Sequence, residues 1–225
     1  MTFGADQHYP ARTVNVQILS RRPEAPTPKR QAIEAAVLRA MEELLGDGAT
    51  YATLSVERIA TRAGISRTAF YFYFADKREL LVRLASRLSD ELYREADAWW
   101  SSAGDGPGQL TMALDRIAAL YRAHSPLVCA IVEVSTYDEV VGPFWQTLVG
   151  RFVDATAERI ASEVAAGRTG AAAGGSPVKP EATAFALVWM TERTLHQMLL
   201  QDGRVQDDEL VRALERIWIA TVYGA

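Results

Sequence analysis

SVERIATRAGISRTAFYFYFADK, from Ser55 to Lys77, is the stretch that decides the fold. Val56, Ile59, Ala60 and Ala63 recur at helical spacing, so a short helix with one apolar face is expected from Ser55, its N-cap, to Ala63. Gly64 ends it, because glycine most cheaply adopts the left-handed conformation that closes a helix. Ile65 plugs the corner, and the Ser66 hydroxyl caps a second helix starting at Arg67. Helix, tight glycine turn, helix is a helix-turn-helix pattern.

The run Phe70-Tyr71-Phe72-Tyr73-Phe74 has an intrinsic preference for strand, which leaves a strand reading open. Against it stand the cap at Ser66 before the run and Asp76-x-x-Glu79 after it, a capping-box-like start for the next helix. On a helix, Phe70 and Phe74 anchor inward, four residues apart, while Arg67, Thr68 and Tyr71 share the opposite side. That face carries hydrogen-bond donors: Arg can grip guanine edges, Thr can meet a thymine methyl or a phosphate, and Tyr hydroxyls hold phosphates.

These residues resemble the TetR family of transcriptional regulators. Its pattern of a Gly turn, Ser, an aromatic cluster containing Tyr, then Phe-x-x-Lys is present as GISRTAFYFYFADK. The resemblance implies Tyr71, Tyr73 and Lys77 on phosphates, Ser55 on a phosphate at the other helix start, and Arg67, Thr68 and Ala69 facing bases. Ser66 completes the expected DNA-binding set. Phe72 stands where the family often has His or Tyr, and a packing role is expected for it.

At 225 residues and 49% apolar composition, the chain can bury one large core or a small domain joined to a larger one. The net charge of −4 looks wrong for a DNA binder until the chain is divided. Residues 1–83 hold 12 Lys+Arg against 9 Asp+Glu, and the remainder holds 12 against 19. The basic excess therefore belongs to the N-terminal part, which fits DNA at one end, though ordinary solvated faces carry imbalances of this size too.

The single cysteine, Cys129, excludes an intramolecular disulfide, and its apolar context reads as a small buried hydrophobe. His8, His124 and His196 lack Cys or carboxylates at ligand spacing, so neither a metal nor a cofactor is expected. No apolar run reaches the roughly 18 residues of a membrane span and no signal peptide is visible, which reads as a cytoplasmic chain with no membrane partner. Glu133, Asp138 and Glu139 read as solvated helix ends and loop charges, so no catalytic constellation supports an enzyme.

The expected fold class is all-α, in three segments. Residues 1–26, with Pro10, Pro23 and Pro26, form a flexible arm that either follows DNA or is simply solvated. Residues 27–75 form a three-helix head, whose first helix starts at Thr27-Pro28. Residues 76–225 form a ligand-binding and dimerisation domain. Helix 4 begins at Asp76, carries Leu81, Leu84, Leu88 and Leu92, and ends near Trp100. Helices 5 to 9 are placed near 109–123, 126–135 (Ser125 as cap), 143–166, 181–201 and 207–223. A mobile linker, GRTGAAAGGSPVKP, precedes helix 8, and Asp202-Gly203 marks a turn. Nine helices in this order resemble the TetR architecture over nearly the full chain.

Helices 8 and 9 are apolar on more than one side, which suits either a monomer core or a homodimer interface, with Leu214 read as an outward position. The resemblance favours the dimer. The run WMTERTL…RIWIATVYGA is similar to the EthR-like branch, whose ligand tunnel is long and mostly apolar. That likeness implies a lining from Tyr121, Trp145, Phe152, Thr156, Met190, Thr191 and Trp218, although core packing explains each aromatic taken singly. Val188 and Thr191 replace the branch's amide side chains on helix 8, leaving Thr191 as the expected polar anchor. The function implied is a ligand-responsive repressor that binds palindromic operator DNA as a homodimer and is released by a small hydrophobic effector. A DNA-binding dimer without a ligand is the alternative.

Overall fold

The computed structural model describes residues 27–168, 179–201 and 205–224. The expected arm, positions 169–178 of the expected linker and the Asp202-Gly203 turn lie outside them. Among the described residues there are nine α-helices and no strand: α1 (Pro28–Gly46), α2 (Val56–Arg62), α3 (Arg67–Tyr73), α4 (Lys77–Trp100), α5 (Gly106–Ala123), α6 (Ser125–Ser135), α7 (Val141–Ala165), α8 (Pro180–Leu200) and α9 (Asp207–Tyr223).

Five helix starts share one device. The side chains of Thr27, Ser55, Ser66, Asp76 and Asp105 each accept from the backbone N–H three residues on, at 2.8 to 3.3 Å. Each satisfies one otherwise unpaired donor, a bond whose loss costs about 1 kcal/mol. The Asp105 cap starts α5 three residues earlier than expected and draws Gly106, Pro107 and Gly108 into its first turn. A Cβ at Gly106 would strike the Tyr223 hydroxyl, so this glycine is what lets α5 approach α9. Ser125 is the first residue of α6 and not its cap; His124 holds the cap position without a side-chain bond.

The strand alternative for Phe70–Phe74 is not realised. Ser66 starts α3 as expected, and the backbone becomes extended only at Phe74. Gly64, at φ 72°, closes α2, with Ile65 N–H donating to Ala60 O and Gly64 N–H to Thr61 O, the paired bonds of a Schellman end.

One continuous core runs from head to body. Val37, Met41, Leu44, Ile59, Phe70 and Phe74 fill the head, and Leu80, Leu81, Leu84 and Leu88 carry the apolar stripe down α4. With 24 residues, α4 is about 36 Å long and belongs to both halves. The head also rests on the body where α1 packs on α6. There His124 lies 3.8 Å from both Glu42 of α1 and Glu91 of α4. At the far end of α4, Arg159 donates to the carbonyls of Trp100 and Ser102 and pairs with Glu163 at 2.6 Å. These bonds satisfy carbonyls that the helix end would leave unpaired.

Candidate DNA-binding face and ligand cavity

Phe70 and Phe74, fully buried with ring centroids 5.6 Å apart, pin α3 to the head. Arg67, Thr68 and Tyr71 are thereby left exposed on one face, with Ser66 at its start and Ala69 half-buried beside them. Ser55, at the start of α2, is exposed as well. Tyr73 is half-buried, with the Arg30 guanidinium 5.6 Å from its ring centre. Phe72 corrects its expected packing role. It is 72% exposed, because with Phe70 and Phe74 inward its neighbouring position turns to solvent.

Lys77 has a structural job that sequence reasoning missed. Its Nζ donates to Tyr51 O at 2.8 Å and to Leu54 O at 2.9 Å, and sits 4.4 Å from the Tyr51 ring centre. Partial burial lowers its pKa. The α1–α2 loop, which ends in Ser55, is thus tied to the first turn of α4. Two of the three ammonium N–H groups are used in this way.

In the body, α4, α5, α7, α8 and α9 line a cavity whose space, counted together with the solvent at its mouth, is about 730 Å³. Tyr121, Trp145, Phe152, Thr156, Thr191 and Trp218 all line it. Met190 does not: Val188, Thr191, Glu192 and Leu195 form the inward stripe of α8, and Met190 points about 100° away from Thr191. The indole N–H groups of three wall tryptophans are already paired. Trp218 Nε1 donates to Thr191 Oγ1 at 2.8 Å, Trp99 Nε1 to the Tyr223 hydroxyl at 2.8 Å, and Trp100 Nε1 to Thr156 Oγ1 at 3.2 Å. Thr191 also spends its proton on Leu187 O at 2.9 Å, so it cannot donate to a ligand as expected.

Two cavity residues escaped the sequence reading. Ser89 is 2% exposed and Glu192 5% exposed, and neither side chain has a hydrogen-bond partner among the described residues. Glu192 beside Arg193 reads as a surface charge pair. Its spacing from Val188 and Leu195, four back and three on, was the available signal.

Residues 110–224 match the family described as "Transcriptional regulator EthR, C-terminal domain", and residues 37–84 match "Bacterial regulatory proteins, tetR family". The chain belongs to the TetR family of transcriptional regulators. It is similar to the HTH-type transcriptional regulator EthR of Mycolicibacterium smegmatis, 31% identical over 197 residues that span 85% of this chain and 86% of that one. The fold is shared with SmeT, the repressor of the Stenotrophomonas maltophilia multidrug efflux pump SmeDEF, at TM-score 0.67 and 18% identity, over 85% of this chain and 90% of that one. AibR, solved in complex with isovaleryl coenzyme A and operator DNA, superposes at TM-score 0.58 and 18% identity, over 82% and 97% of the two chains. This TetR-family protein is therefore a DNA-binding transcriptional regulator and not an enzyme. Among its described residues no single helix is long and apolar enough to cross a membrane, and no group of three His, Cys, Asp or Glu side chains could hold a metal ion.

The α8–α9 surface of the regulator needs one correction. Leu214 is 3% exposed and faces the core of the chain with Val211, Trp218 and Val222, so it is not outward. The large exposed apolar residues on these helices are Phe185 (59%) and Leu200 (55%) on α8 and Ile217 (45%) on α9, with Ala182 and Ala186 exposed beside Phe185 and Ala213 and Ala220 beside Ile217. Sequence periodicity gives the stripes of a helix but not which stripe meets its own core.

Proposed function

We propose that the protein is a homodimeric, cytoplasmic repressor that binds palindromic operator DNA and is released by a small hydrophobic effector in the α4–α9 cavity. The observation carrying this reading is that one helix serves both sites. α4 contributes Ser89, Leu92, Ala96, Trp99 and Trp100 to the cavity wall, and its other end holds the Ser55 loop through Lys77. An effector that binds better to one setting of α4 than to another would shift the spacing of two recognition helices away from the about 34–36 Å between successive major grooves.

On the DNA side, α3 lies in the major groove with Arg67, Thr68 and Ala69 towards base edges. Ser55, Ser66, Tyr71, Tyr73 and the remaining N–H of Lys77 hold phosphates. The domain division is a head of residues 27–75 and a body of residues 76–225. The dimer forms through the Phe185 and Ile217 faces of α8 and α9.

Fluorescence anisotropy on a duplex from the region upstream of the protein's own gene tests the reading. Binding should be specific, fall steeply with salt, and weaken when a cavity ligand that raises the melting temperature is added. A compound that stabilises the protein while leaving operator binding intact would reduce the function to a dimeric DNA-binding regulator with no effector.

A further inference from the structure

Resting on the cavity as an effector site, we propose that the effector is an amphiphilic amine, whose ammonium head pairs with Glu192 and whose apolar tail lies along the aromatic walls.

The cavity is chemically lopsided. The ion pairs Arg116–Glu95 (3.4 Å) and Arg151–Asp90 (3.2 Å) mark the register of α5 and α7 on α4. In that register Tyr121, five residues beyond Arg116 on the antiparallel α5, lies level with Ser89. Tyr121 is also close enough to Glu192 for the carboxylate charge to raise its phenol pKa, after burial, the larger cause. Ser89, Tyr121 and Glu192 therefore gather at one end. The other end is closed by Trp100 and Thr156, which already bond each other.

Glu192 is the unexplained group. Both carboxyl oxygens are buried and accept no properly formed hydrogen bond from any described residue. Arg193, 3.8 Å away with an exposed side chain, and the nearby Trp145 indole N–H draw the carboxyl pKa down, but burial outweighs them and raises it. A buried carboxyl compensated only by a distant, exposed guanidinium and a poorly placed N–H is costly, and replacing it with an apolar residue is often neutral or stabilising. An ammonium group supplies what exposed Arg193 does not: an opposite charge at hydrogen-bonding distance inside the cavity and three N–H donors, enough for two carboxylate oxygens and the Ser89 hydroxyl. A neutral head of equal size supplies neither the charge nor the third donor. The remaining walls are apolar and aromatic, suited to an alkyl or aryl tail.

The test compares decylamine with 1-decanol, equal in length, by calorimetry with the full chain at about pH 7.5 and below the concentrations at which either aggregates. The wild type is expected to bind the amine at least about tenfold more tightly, with that ratio falling to about one in Glu192→Gln, which keeps the volume. Equal affinities in the wild type would overturn the amine assignment and leave the effector site standing. Failure of both compounds to bind would remove the effector site and the amine with it. An amine preference persisting in Glu192→Gln would place the head elsewhere and overturn the pairing, and should the variant not fold, the wild-type ratio still decides.

Discussion

Trp218 Nε1 donates to Thr191 Oγ1 at 2.8 Å, joining α9 to α8 across the cavity wall. Both residues are buried, so the bond fixes the indole plane that faces the cavity and stacks edge-on against Trp99, centroids 5.7 Å apart. Thr191→Val keeps the shape but leaves a buried N–H without its acceptor. A loss of about 1–3 kcal/mol is expected in urea unfolding, the cost of one unsatisfied buried donor. Unchanged stability would show that the indole finds another acceptor.

Arg67→Ala should act on specificity. Its guanidinium is exposed on the face of α3 opposite Phe70 and Phe74, with no ion-pair partner among the described residues to hold it away from DNA. Discrimination at one base-pair position should fall by about 1–3 kcal/mol, while affinity for random duplex changes little. Equal losses on operator and random DNA would move Arg67 to the phosphates.

Tyr71 and Lys77 separate contact from support. Tyr71 is exposed and its hydroxyl makes no hydrogen bond among the described residues, while its ring packs edge-on against Phe70 and is kept in phenylalanine, so Tyr71→Phe should lower DNA affinity on all sequences without changing the melting temperature. Lys77→Met should lower both, because the Tyr51 and Leu54 carbonyls lose a charged donor, worth about 1.5–3 kcal/mol per bond at most. A Lys77→Met protein as stable as the wild type would show the two carbonyls satisfied by water.

What the sequence carried clearly was local chemistry. Thr27, Ser55, Ser66 and Asp76 cap helices as read, because a cap depends only on residues within three positions. The nine-helix order followed from the same signals. Ambiguous were the phases of helices surrounded on several sides. α8 is apolar around much of its circumference, so Met190 and Thr191 looked equivalent, and only its packing against α5, α7 and α9 puts Thr191 and Glu192 on the cavity. Leu214 was misread for the same reason, since α9 has apolar residues on both its core and its exposed stripe. Lys77 shows a further limit: its two carbonyl partners lie more than twenty positions back in the chain.

The dimer prediction moves accordingly to Phe185 and Ile217. Phe185→Asp or Ile217→Asp puts a charge on an exposed face and should leave the protomer folded, while sedimentation shows monomers at micromolar concentration. Leu214→Asp buries its charge inside the protomer and should abolish cooperative unfolding instead. A wild-type protein that sediments as a monomer would end the dimer proposal.

Glu192 makes a pH-dependent prediction that needs no ligand. Burial raises its folded-state pKa above the ordinary value of 4.5, so the unfolded chain releases this proton first as pH rises. Above that ordinary value the unfolded state binds fewer protons than the folded state, and stability from this residue declines until the folded-state pKa is passed. Glutamine has the same shape and no proton to lose. Glu192→Gln should therefore melt higher than the wild type at about pH 7.5, and the gap should close as pH falls towards the unfolded carboxyl's range near 4.3. A gap that is independent of pH would mean that Glu192 keeps its ordinary pKa in the folded protein, with Arg193 and Trp145 offsetting its burial in full. A gap that closes as expected would mark Glu192 as a residue kept at a cost to stability, the pattern expected of a side chain held for binding.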